Sequence, residues 1–101
     1  MIPAMNAERT RAYRRVMHTL SEAGPSKLLD EEQDRLRHAA DTLLFSQRVL
    51  DDDDSQAALA DTERLCRWLV DSGRWQEVTA MRLADDVAEC GPEQPGELRA
   101  A

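Results

Sequence analysis

Two amphipathic runs, SQAALADTERLCRWLVDS at 55–72 and RWQEVTAMRLADDVAEC at 74–90, are separated by one glycine, Gly73, and closed by Gly91-Pro92. Each glycine stands where a helix needs a residue at positive φ to close its last carbonyls. A connection this short obliges the two helices to fold back on each other or to cross sharply. A helical hairpin therefore organises the chain, and the upstream segments are expected to pack on it.

Those segments carry the same period. Ala12, Tyr13, Val16, Met17, Leu20 and Ala23 recur at three- and four-residue intervals over 7–23, opposite Arg11, Arg14, Arg15, His18 and Glu22. Asn6 is the expected N-cap, and Gly24-Pro25 the expected stop. Asp30 with Gln33 resembles a capping box, opening a helix over 31–46 with a stripe of Leu36, Ala39, Ala40, Leu43 and Leu44, extended by Gln47 and Leu50. The aspartates of SQRVLDDDD at 46–54 repel one another and predict a mobile link; Asp53, Asp54 and Ser55 are read as the cap of the next helix. That run lacks the glycine turn and distal glutamate of a calcium loop.

The hairpin helices bury Ala58, Leu59, Thr62, Leu65, Cys66, Leu69 and Val70 from 55–72, and Val78, Ala80, Met81, Leu83, Ala84, Val87 and Ala88 from 74–90. The second arc is wide, which predicts a central helix touching neighbours on more than one side. The expected fold is thus all-α: one bundle-like domain over 7–90 with helices near 7–23, 31–46, 55–72 and 74–90. A loose arm at 1–6 and a disordered, proline- and glycine-rich tail at 91–101 complete it. With only four aromatics, the core must be built from Leu, Ala, Val and Met.

The sequence limits function mainly by exclusion. No apolar run reaches the length of a membrane span, and MIPAMNAERT lacks the apolar stretch of a signal peptide, so the cytoplasm is the expected location. Arginine accounts for all but one of the 13 basic residues, and Ala and Asp are abundant, a bias typical of GC-rich bacterial coding. In a hairpin turning at Gly73, Cys66 and Cys90 are offset by roughly 15 Å along the axis, too far for a disulfide. Both are read as buried thiols. Asp34, His38 and Asp41 share a helix face, but it lies opposite the apolar stripe, where solvent competes for any metal. Cys66 is expected inside the bundle and both histidines on outward faces, which sets no nucleophile beside a base, and no glycine-rich phosphate loop is present. No metal, cofactor or catalytic residue is assigned.

The helix–glycine–helix pattern invites comparison with a helix-turn-helix DNA reader. The second helix, however, carries two arginines against Glu77, Asp85, Asp86 and Glu89, and phosphate would repel it. Four arginines and Lys27 against Glu8 and Glu22 leave residues 1–29 at net +3 in a chain of net −7. DNA binding through the basic face of the first helix is therefore the alternative rather than the expectation.

Phe45, Trp68 and Trp75 fall off the predicted core stripes, and large aromatics are favoured at interfaces. Together with Arg11, Arg14, Arg15 and His18 they form the expected partner-binding set. The sequence reads as an acidic helical protein–protein interaction or regulatory module without catalytic activity, self-associating as a dimer, with no nucleic-acid or membrane partner.

Overall fold

The structure is a computed structural model that describes residues 3–46 and 52–92, the side chains of 3–6 and 24–26 excepted. It is all-helical: α1 (Pro3–Lys27), α2 (Asp30–Leu44), α3 (Asp53–Asp71) and α4 (Glu77–Glu89). The helices run up, down, up and down. Each packs on the next, α4 closes back on α1, and α2 meets α4 across the diagonal. No described helix is long and apolar enough to cross a membrane.

Most of the predicted core is found, with Val16, Leu20, Leu36, Leu43, Leu65, Leu69, Leu83 and Val87 all but inaccessible to solvent. Burying each such side chain contributes ~1.5–3 kcal/mol. Leu28, from the α1–α2 link, joins them at 0% exposure, and Tyr13, Met17, Leu59, Val70 and Ala84 pack around the rim.

Each of the four helices differs from the sequence reading in its boundaries. The first helix starts at Pro3, not after Asn6, because proline's fixed φ suits the first helical turn and its missing N–H has no partner there anyway. It also continues through Gly24-Pro25 to Lys27. The last turn is held from outside: Leu28 is drawn into the core, and the Lys27 carbonyl accepts from Trp75 Nε1 (3.2 Å) and Arg74 (3.1 Å). α2 is capped at Leu29, whose N–H donates to the Glu32 carboxylate (2.9 Å), so the reciprocal acid is Glu32 rather than an Asp30–Gln33 pair. α3 begins two residues early because Asp52 is its cap, accepting from the Asp54 N–H (3.1 Å) and the Ser55 hydroxyl (2.7 Å).

The difference in α4 matters most for the surface. Arg74 and Trp75 belong to the α3–α4 connection, not to the last helix, which opens after Gln76. Gly73 at φ +78° makes the turn, and the N–H groups of Arg74 and Trp75 both reach the Leu69 carbonyl at 3.0 Å. α4 is consequently short. Val78 and Met81, expected inside, stand 64% and 57% exposed. The expected extensions at Gln47 and Leu50, and the tail beyond Pro92, lie outside the described residues.

One buried group had no place in the pattern as read. Arg9, 6% exposed, donates from Nε to the Cys90 carbonyl (2.9 Å) and from Nη2 to those of Leu43 (2.9 Å), Leu44 (2.6 Å) and Ser46 (2.8 Å). These carbonyls end α2 and α4, where a helix has no internal donors and a partial negative charge. Burial pulls the Arg9 pKa below its ordinary value, but a guanidinium stays protonated in proteins. Arg9→Leu is expected to cost on the order of 3 kcal/mol, since it strips charged donors from several buried carbonyls at once. Arg11→Leu, on the outer face, should fall within about 0.5 kcal/mol of wild type. Urea titrations followed by circular dichroism separate the two.

Candidate functional site

Trp68 is 57% exposed on the flank of α3 that faces α2, one helical turn beyond Arg64 and two beyond Asp61. Arg35 of α2 holds Asp61 across that seam with two bonds (3.1 and 2.5 Å), and Arg64 stands 3.9 Å from the same carboxylate. The indole thus projects from a rim of mixed charge. Phe45, the C-cap of α2, is 81% exposed. Arg35 opposite Asp61 fixes the α2–α3 register; Phe45 lies ten residues from Arg35 in one axial direction and Trp68 seven from Asp61 in the other, a separation of roughly 25 Å. The two aromatics therefore lie at opposite ends of the bundle and do not form one patch.

Trp75 is different again. At 9% exposure it closes the floor of the bundle, its ring nitrogen satisfied by the Lys27 carbonyl, so it belongs to the core rather than to the surface. Its neighbour Arg74 makes two bonds to Glu32 (2.9 and 2.8 Å), which pins the connection to the start of α2.

The basic face of α1 is divided. Arg11, Arg14 and His18 are exposed, and His18 stands 3.9 Å from Glu22. Arg15 is turned towards α4, bonding the mostly buried Asp86 (2.9 Å) and Glu89 (2.8 Å). The acids counted against DNA binding in α4 are thus partly engaged by the arginine meant to support it.

The acidic stripe on α2 does not converge either. Asp34 pairs with Arg37 (3.2 Å), while Asp41 accepts from the Tyr13 hydroxyl (2.6 Å) and faces α1. Among the described residues no three His, Cys, Asp or Glu side chains are placed to share a metal ion. Both cysteines are free and buried. Cys90 Sγ donates to the Asp86 carbonyl at 3.4 Å. Burial pushes the Cys66 thiol up to about 11 and the Cys90 thiol up to about 12, which keeps both in the poorly nucleophilic neutral form.

The pattern read from sequence missed the groove between α3 and α4. It is an open trough of about 460 Å³ lined by Cys66, Val70, Ala80, Met81 and Ala84, with Glu63, Arg67 and Asp71 along one bank and Glu77 and Asp85 along the other. The signal was present in the wide apolar arc of the last helix, which three neighbours in this chain do not cover.

Two outcomes follow from these environments. Bonding to Arg74 holds the Glu32 carboxyl below the usual range, against the opposing effect of burial. Its stabilisation is therefore complete above the unfolded pKa of ~4.3 and lost as pH falls through the lower folded value. Glu32→Gln should lower stability at neutral pH and flatten the decline below about pH 4.5, as read by urea midpoints across pH. The thiols should react with Ellman's reagent at pH 8 only slowly in the native protein, and rapidly in denaturant; fast native labelling of both would contradict their burial.

No family model, curated protein or solved structure matches this sequence.

Proposed function

We propose that this chain is a protein–protein interaction or regulatory module without catalytic activity, which self-associates as a dimer in the bacterial cytoplasm. Exposed Trp68 carries the reading. An indole at 57% exposure leaves a large apolar area in water, and such side chains dominate interface energetics when a partner covers them. The charges around it suit a twofold contact, in which one surface meets its own copy: Arg64 is held only loosely within its chain, and Asp61 lies one turn before it. Reciprocal Arg64–Asp61 pairs could frame the two indoles. Repulsion between two chains of net −7 acts over long range and is screened beyond ~8 Å at physiological salt.

The buried, neutral thiols and the ion-paired carboxylates support a role in binding over one in chemistry. The DNA-binding alternative is weakened by the engagement of Arg15 with Asp86 and Glu89. Light scattering across protein concentration tests the proposal. Wild type should exceed 11.4 kDa as concentration rises, and Trp68→Ala should remain at the monomer mass while keeping its helical spectrum. A wild type that stays monomeric throughout would overturn self-association.

A further inference from the structure

We infer that the α3–α4 groove is a docking site for a basic amphipathic helix of another protein. The inference deepens the interaction-module reading and uses a surface on the opposite flank of α3 from Trp68.

The argument begins with charge. The other seams are closed by cross-helix polar pairs: Arg15 to Asp86 and Glu89 between α1 and α4, Arg35 to Asp61 between α2 and α3, and Tyr13 to Asp41 between α1 and α2. The α3–α4 seam is built differently. Its banks face each other with Glu63 and Asp71 on α3 and Glu77 and Asp85 on α4, all exposed. Among the described residues, none of these four carboxylates is in an ion pair, and Arg67 is the one cation beside the trough. Acids on both banks repel across the gap, and a row of cations laid between them would answer both.

The floor supplies the second requirement. Cys66 and Ala80 form a closed base at 6% and 1% exposure. Val70 and Ala84 are half-buried above them, and Met81 stands over the trough at 57% exposure. Val78, one turn before Met81 and 64% exposed, extends the apolar edge outward. Methionine is flexible and polarisable, and so adapts to varied apolar partners.

Shape selects a helix. The trough runs between antiparallel helices from Glu63 to Asp71, eight residues or roughly 12 Å, which matches two turns of a third helix. No strand edge exists among the described residues to pair an extended peptide, whereas a helix brings its backbone bonds with it and presents anchors at i, i+3 or i+4, and i+7. A second copy of this chain is a poor occupant. Its net-basic element is α1, whose apolar stripe is already spent on its own core and whose Arg15 is engaged.

The test uses two stapled 15-residue helical peptides with one leucine face in common, one flanked by lysines and the other by glutamates. Titration of each into the full-length protein is followed by fluorescence anisotropy and amide chemical shifts. The lysine peptide should bind, weaken as salt rises, and shift Cys66, Val70, Ala80, Met81 and Ala84. Met81→Glu should weaken it at least tenfold, and Glu63→Gln with Asp85→Asn should blunt its salt dependence. These side chains are exposed, and unchanged melting of each variant confirms the fold. Failure of the lysine peptide to bind, equal binding of both peptides, or shifts centred on Trp68 or α1 would overturn the groove assignment. Trp68-dependent self-association surviving such a failure would leave the broader reading standing, so the two are separable.

Discussion

Arg9 holds together what the helical hairpin alone cannot. A bundle of four antiparallel helices brings the C-terminal ends of α2 and α4 to the same end, and so gathers carbonyls without internal donors at one place. Water would serve them at a surface. Here they are covered, and one guanidinium, reaching in from α1, donates to both sets. A buried charge is ordinarily expensive, yet this one faces helix ends whose dipoles present negative partial charge. The charge-assisted hydrogen bonds between them offset the cost of desolvating the arginine as well as that of desolvating the carbonyls.

The opposite end is closed by analogous means with different residues. There the α1 terminus and the α3–α4 connection meet, and Trp75, Arg74 and Glu32 tie them to the start of α2. The connection is therefore structural rather than a spacer. Val78 and Met81 stay in solvent because they lie off the stripe of Ala80, Leu83 and Val87 that α4 turns to the core.

Fold class was legible because four apolar stripes at helical period admit few other arrangements, and most of the core residues they name are found buried, Val78 and Met81 excepted. The boundaries were less so. Pro25 reads as a stop, but tertiary contacts at Leu28 and Lys27 outweigh a local preference. Arg9 was legible in principle: it precedes Ala12 by three and Tyr13 by four, on the buried stripe. Glu32, four before Leu36, stands in register with its own stripe in the same way. A charge at a core position is the sign of a buried polar role, and counting both as surface charge concealed it. Trp75 misled for the converse reason. Its place beside Gly73 suggested a surface turn, whereas the turn folds under the bundle. Which exposed faces are left unpaired depends on distances across seams, and no periodicity within one helix encodes those.

The antiparallel seam between α1 and α4 has a mechanical corollary. Arg9 meets Cys90, Arg15 meets Asp86 and Glu89, and Lys27 meets Arg74 and Trp75, in that order along the seam. The start of α1 and the end of α4 therefore share one end of the molecule. Tension applied through those two points acts across the seam rather than along it. Its bonds are loaded in succession, beginning with the arginine at the helix ends, so the seam opens as a zipper does rather than shearing as a unit. A tether that joins those same two points would bridge only a short gap and would leave the trough on the α3–α4 side unobstructed.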